Sequence, residues 1–285
     1  GAEGLKEKIA LIVDSMCDLP QEIIQRFAIK VLPAKIIYPG EEYADGVDIQ
    51  PDEVYRRMPD EIPTTAMPTL HEISETFEQI RREGFTHVLA LHISSGLSGT
   101  VEAVKMVARD FENLKIDVMD TKTLSMGTGW MVLDAARNIA NGLCFERVVE
   151  SLQSIQPKVE VYYIIETLEY LRRGGRIGRV AGMLGQFLHI KPIISVDREG
   201  NYFTYCKARG RLKSIDKLVE IVENKVKEKP IKLAILNGGA SREFEKLVER
   251  LRQLPNIKEL VTSDISPALG VHTGPGLLGI SFYEV

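Results

Sequence analysis

The stretch Thr86-His87-Val88-Leu89-Ala90-Leu91-His92-Ile93-Ser94-Ser95-Gly96-Leu97-Ser98-Gly99-Thr100 decides how this chain is read. Its first half is a nearly continuous apolar run, the pattern of a parallel strand covered on both faces. Its second half crowds four hydroxyls and two glycines into one turn, and the helical pattern Val101 to Phe111 follows. Glycines let the backbone approach a ligand closely, and the free amides of a helix N-terminus attract an anion. The turn carries no lysine or arginine, so an anion there would be held by neutral donors. That suits a carboxylate better than a polyphosphate. Taken singly, the same residues are the ordinary material of turns and caps.

Working outward, strands and helices alternate. Lys8 to Asp14 is a second buried-looking strand, and Asp18, Pro20 and Gln21 open a helix to Phe27. An extended run covers Val31 to Tyr38, and another covers Lys115 to Asp120. Thr69 and Glu72 form a capping box at the start of a helix from Leu70 to Glu83. Gly142 is placed to end a helix running from about Gly129 to Asn141. This is a doubly wound α/β pattern. The second half has six short strand candidates: Val159–Ile165, Pro192–Val196, Tyr202–Lys207, Ile231–Leu236, Glu259–Asp264 and Leu278–Glu284. Asp197-Arg198-Glu199-Gly200-Asn201 contains a hairpin-like turn, and helices are expected at Leu212–Val226 and Arg242–Leu251. The reading is an N-terminal three-layer parallel-sheet domain, residues 7–157, and a C-terminal two-layer α/β domain with a mixed six-stranded sheet, residues 158–285. The boundary falls near Gln156-Pro157-Lys158.

Composition excludes several classes. The chain has 285 residues, 44% of them hydrophobic, and a net charge of -4, enough for one large domain or two smaller ones. It opens Gly1-Ala2, which reads as a processed terminus. No apolar stretch of about 18 residues occurs and no secretory signal precedes the first strand. Cys17, Cys144 and Cys206 lie far apart with no C-x-x-C pair, against a disulfide framework or zinc site. A cytoplasmic protein is expected.

In an open parallel sheet, ligands bind beyond the carboxyl ends of strands where the strand order reverses. If the first and third strands are neighbours, Asp14-Ser15 and Ser94-Ser95 share that crevice, with Thr64-Thr65 along its edge. His272-Thr273-Gly274-Pro275-Gly276 reads as a loop of limited flexibility whose histidine is able to donate to a carboxylate. Met183 to Ile194 is apolar nearly all round, as the wall of a tunnel or an interdomain core would be. Arg172, Arg173, Arg176 and Arg179 form one basic cluster, and Lys207, Arg209, Arg211 and Lys213 a second. Either is a solvated surface, or serves phosphate or a docking protein. No nucleic-acid motif is recognised, and no G-x-x-x-x-G-K-[ST] loop occurs, so any ATP would come from another subunit. Ser98, Asp264 and His272 follow the chain order of α/β hydrolases, but Gly96-Leu97-Ser98-Gly99-Thr100 has threonine where the elbow needs a second glycine. A serine acyl hydrolase using Ser98 is the alternative reading.

Six motifs in order, Asp14-Ser15-Met16-Cys17-Asp18, Thr64-Thr65-Ala66-Met67-Pro68, Ile93 to Thr100, Gly174-Gly175-Arg176-Ile177, Lys207-Ala208-Arg209-Gly210 and His272 to Gly276, resemble the DegV family of bacterial fatty-acid-binding proteins. The similarity runs from about Glu7 to Val285. It implies a two-domain protein that buries one long-chain fatty acid between its domains, uses no cofactor or metal, and is not itself an enzyme. It also implies the substrate-carrying role in a bacterial fatty acid kinase, whose separate ATP-binding subunit phosphorylates the carboxylate, and allows transient membrane contact. By motif position, Thr65, Ser95 and His272, with Ser94 and Ser98 beside them, resemble the carboxylate-binding residues. Arg209 and Arg176 resemble basic residues facing the head group or the kinase. Met16 and Ala66 stand where the family usually has threonine and serine, which removes two hydroxyl contacts.

Overall fold

Apolar runs become strands in the computed structural model, which describes residues 6–285; the Gly1-Ala2 reading lies outside them. The first half contains β1 (Ile9–Asp14), α1 (Gln21–Arg26), β2 (Lys30–Leu32), β3 (Lys35–Tyr38), β4 (Glu41–Ala44), α2 (Pro51–Arg57), β5 (Thr64–Ala66) and α3 (Leu70–Arg82). It continues with β6 (His87–His92), α4 (Thr100–Ala108), β7 (Lys115–Asp120), α5 (Met126–Ala140) and α6 (Phe145–Ile155). The second half holds β8 (Glu160–Ile164), α7 (Glu169–Arg173), β9 (Ile190–Val196), β10 (Tyr202–Arg209) and α8 (Arg211–Glu228). It ends with β11 (Ile231–Gly238), α9 (Ser241–Arg252), β12 (Ile257–Asp264), α10 (Pro267–Thr273) and β13 (Leu277–Glu284).

The first sheet has the order β2-β1-β6-β7, all parallel. One face packs Ala10, Ile12, Val88 and Ala90 against Ile73 and Phe77 of α3 and Val104 of α4. The other packs Leu11, Val13, Leu89 and Leu91 against α5, giving three layers. The chain passes from β1 to β2 on one side and returns to β6 on the other, so the switch in direction lies between β1 and β6. The run expected from Val31 to Tyr38 is broken into β2 and β3 at Pro33, which has no amide hydrogen for a ladder. β3 leaves the parallel sheet and joins a separate antiparallel sheet, β4-β3-β5. The capping box forms as expected, with the Thr69 side chain and Glu72 exchanging bonds.

The second sheet has the order β10-β9-β8-β13-β11-β12, antiparallel except for the parallel pair β11 and β12. Ile164, Leu233, Ile235, Ile280 and Phe282 face α8 and α9. The alternate residues Val161, Tyr163, Ala234, Leu236 and Tyr283 face the first half and share one core with Trp130 of α5. Both faces of this sheet are therefore buried, one by its own helices and one by the other half of the chain. Trp130 is fully buried and donates its indole N–H to the Ser281 carbonyl at 3.1 Å. Arg137 of α5 grips Glu259 of β12 with two bonds of 2.7 and 2.6 Å. The segment Met183–Ile194 is less uniform than its sequence: Met183, Ile193 and Ile194 are buried, whereas Leu184 and Leu188 face solvent.

Because the seam and the first domain's core are one apolar cluster, the two halves should unfold together. Trp130→Ala is expected to lower stability by about 3–5 kcal/mol in urea denaturation followed by circular dichroism, with one transition retained. Two separated transitions in the parent protein would contradict a shared core.

Candidate functional site

The carboxyl edge of the first sheet is polar where its body is apolar. Asp14, His92 and Asp120 stand side by side at the ends of β1, β6 and β7. Asp14 is buried and accepts from the Met16 and Ile93 amides at 2.9 Å each, and His92 Nδ1 lies 3.1 Å from it. These bonds fix the start of the Ile93–Thr100 turn. Its four hydroxyls then diverge. Ser94 Oγ is buried and donates to the Gly200 carbonyl at 2.8 Å, locking the turn to the β9–β10 hairpin. A side chain on Gly200, at φ 87°, would collide with Ser94 Oγ, so the close approach requires glycine. Ser95 is exposed, with its amide toward Asp120 and its hydroxyl 3.5 Å from Lys122 Nζ. Ser98 bonds Thr100 at 2.9 Å and lines a pocket. Ser94 and Ser95, expected as carboxylate ligands, thus do not face that pocket, and Ser98 does.

The pocket encloses about 260 Å³ and opens between the halves. Its polar groups are Thr65 of β5, Ser98, Arg176 and His272. Met16, Ala66, Ile93, Leu97, Tyr202 and Leu269 supply much of the apolar lining. Met16 and Ala66, the two positions without hydroxyls, both present apolar atoms here. Thr65 Oγ1 and His272 Nε2 are 2.9 Å apart. Burial, and then the nearby Arg176 charge, push the His272 pKa down to about 4, so the ring is neutral at physiological pH. Its Nδ1 is buried without a partner against Gly174, where a Cβ would collide with the ring. Arg176 donates to the Gly174 carbonyl at 2.6 Å and to the Leu97 carbonyl at 3.3 Å. The turn's lack of cations in sequence is therefore offset in space by an arginine from the other half.

His272 is not on a loop. It occupies the last turn of α10, held at its other end by two buried carboxylates. Asp18 accepts from the Ser266 amide at 2.9 Å and from Ser125 Oγ. Asp45 accepts from the Ala268 amide at 3.0 Å and from Ser15 Oγ at 2.6 Å. Desolvation dominates both: the Asp18 pKa lies well above the usual range, and that of Asp45 is pushed up to about 6. The other sequence candidates are dispersed. Arg209 is exposed at the end of β10, outside the pocket. Arg211 is committed to Glu243 and the Gly276 carbonyl, Arg179 to Asp197, and Arg172 and Arg173 to Glu169. The hydrolase relay is not assembled: Ser98 bonds Thr100, Asp264 accepts from Asn237, and His272 Nε2 meets Thr65.

Fold and site together define a three-sheet α/β protein with an anion-suited, largely apolar pocket at the junction of its halves. A family model described as "Uncharacterised protein, DegV family" matches residues 8–285. The chain belongs to the DegV family. It is 43% identical over 278 residues to a DegV domain-containing protein of Clostridium acetobutylicum, covering 98% of this chain and 99% of that one. Among solved structures, a fatty-acid-binding DegV family protein from Thermus thermophilus is similar at TM-score 0.92 and 30% identity, covering 98% of this chain and 100% of that one. DegV of Bacillus subtilis, described as a fatty acid binding protein, is similar at TM-score 0.90 and 26% identity, with the same coverage.

Asp45 sets a pH dependence of known sign. A carboxyl whose pKa is raised by folding binds its proton more tightly when folded. That advantage is full below the unfolded value of 3.8 and is lost as pH rises through about 6. Asp45→Asn keeps the acceptor for the Ala268 amide and removes the charge. Its stability relative to the parent should therefore improve between pH 4 and about 6 and level off above that, measured by urea denaturation at each pH. A flat difference would show that Asp45 stays ionised throughout.

Proposed function

We propose that this protein binds one long-chain fatty acid between residues 7–157 and 158–285, and presents its carboxylate at the pocket mouth. The observation that carries this reading is the meeting of Thr65, Ser98, His272 and Arg176 at the rim of an otherwise apolar pocket. A neutral His272 in its Nε2–H form donates to Thr65 Oγ1, which leaves the threonine proton free for a carboxylate oxygen. Ser98 offers a second hydroxyl and Arg176 the charge. The solved relatives described as fatty acid binding support the same assignment.

We further infer a carrier role, the one that the family resemblance implies. A separate ATP-dependent kinase subunit would convert the bound carboxylate to an acyl phosphate, this chain itself performing no chemistry. Exposed Arg209, outside the pocket, is the basic residue best placed to face that partner. Leu184 at 44% exposure and Leu188 at 81%, near the basic Arg179 and Lys191, would support transient membrane contact during loading. No described helix is long and apolar enough to cross a membrane. We assign the protein to the cytoplasm, in keeping with three free cysteines.

Protein purified from bacteria should carry about one fatty acid per chain, detected by mass spectrometry after denaturation. Thr65→Val and Ser98→Ala should each weaken palmitate binding by about 1–3 kcal/mol, while Ser95→Ala binds like the parent. Recovery of no fatty acid, with no binding of added palmitate, defeats the proposal.

Arg209→Ala separates holding from handing over. It should keep parental palmitate affinity yet lose acyl phosphate formation with the cognate kinase, by about 2–4 kcal/mol in the transfer barrier. Lys213→Ala serves as a neighbouring charge control. Normal turnover by Arg209→Ala removes that residue from the transfer step.

A further inference from the structure

α7 ends on two adjacent glycines that are there for different reasons. Gly175 has φ 72°, and nothing lies within 4 Å of the place its Cβ would take. It closes a left-handed cap in which the Arg176 amide donates to the Leu171 carbonyl at 3.0 Å and the Gly175 amide to that of Arg172 at 3.2 Å. Gly174 instead has φ -77° and ψ -6°, on the right-handed side where side chains are tolerated. Conformation does not call for glycine there, but space does. A Cβ on Gly174 would stand 2.8 Å from His272 Cε1 and closer still to Nδ1.

The His272 ring is confined at both nitrogens. Nδ1 is against Gly174, and Nε2 is 2.9 Å from Thr65 Oγ1. α7 is held close by Leu171, which is fully buried, and by Tyr170, whose ring a Cβ on Gly274 would meet at 2.5 Å. Each of these two short helices thus offers the glycine at its C-terminal end to a ring of the other. A methyl group at position 174 would move the His272 ring before it moved α7, and the bond to Thr65 would be lost with the ring's alignment. The Gly174 carbonyl meanwhile accepts from Arg176 at 2.6 Å. Resting on the fatty-acid reading, we infer that Gly174 is a positioning residue of the head-group site: its missing side chain seats His272 against Thr65, its carbonyl aims Arg176, and the pocket thereby chooses a carboxylate over a neutral head group.

The test compares dissociation constants for palmitate and for hexadecanol, which has the same number of carbons and no charge. The parent should prefer palmitate, and Gly174→Ala should lose about tenfold of that preference while binding hexadecanol like the parent. In a His272→Ala background the ring is gone, so Gly174→Ala should then change neither affinity. Gly175→Asn, which tolerates a positive φ and meets nothing, should keep the parental preference. Equal loss for both ligands, an effect of Gly174→Ala that persists without the ring, or the same loss in Gly175→Asn overturns the inference, because each means general damage to the turn. An unchanged preference in Gly174→Ala overturns it as well and leaves the fatty-acid reading standing. Should Gly174→Ala be too unstable for binding, the same cycle is read by urea denaturation: a stability loss confined to chains that keep His272 supports the seat, and one that persists in His272→Ala overturns it. A parent that binds no palmitate, or binds it no better than hexadecanol, overturns the carboxylate reading, and this inference with it.

Discussion

The site hangs from the two buried carboxylates that hold α10. A seven-residue helix is too short to be stable alone, and this one has Gly270 in its middle. Its N-terminal amides end on Asp18 and Asp45, both supplied by the other half of the chain. Fixing that end fixes the register of Leu269 in the pocket lining and of His272 at the rim. The clamp is costly, since two desolvated acids stand near one another and near Asp14. It persists because each carboxylate accepts a backbone amide and a serine hydroxyl, the condition under which buried polar groups are tolerated. Protonation of Asp45 near pH 6 would ease the repulsion without removing the bonds to its neighbours.

For the fatty acid we propose, affinity and placement would come from different parts of this architecture. Burying about 15 methylenes contributes roughly 12 kcal/mol gross at about 0.8 kcal/mol each, before ordering costs of several kcal/mol. Two hydroxyl bonds of about 1 kcal/mol each add little to that sum. They decide instead which end of the ligand faces out. The pocket of about 260 Å³ and an adjoining void of about 20 Å³ together fall at the lower edge of ordinary ligand sites, which span about 300–1,000 Å³. A long tail would therefore have to part the side chains between them, where Tyr202 and Leu269 line both spaces.

What was legible in the sequence was what depends on near neighbours. The apolar runs of β1 and β6, the capping box of α3 and the turn at Gly142 each have a local cause, and each appears. Pro33 was an equally local signal that the extended run from Val31 must break. Ser266-Pro267 was another, an N-cap followed by a proline in the first turn, and it marked α10 where a loop was expected. The roles within the hydroxyl-rich turn were not local. Ser94 is diverted by a carbonyl 106 residues away, and His272 meets Thr65 across 207 residues. Four hydroxyls in one turn announced polarity, but only the docked hairpin determines which of them remains for a ligand.

The same dependence explains why the cation at the site was hard to place. Arg172, Arg173, Arg176 and Arg179 look alike in sequence, yet three of them meet acids at the surface, Arg172 and Arg173 sharing Glu169 and Arg179 on Asp197. Arg176 alone turns inward, because the carbonyls of Gly174 and Leu97 receive it. Two carbonyls orient a guanidinium without cancelling its charge, whereas a carboxylate would do both. That charge adds to the burial that keeps His272 neutral, and attracts an anion to the place where Thr65, oriented by His272, offers a neutral donor. Arg176, His272 and Thr65 thus act as one unit: the arginine supplies the field, and the histidine, kept uncharged first by its burial and then by that field, directs the Thr65 hydroxyl.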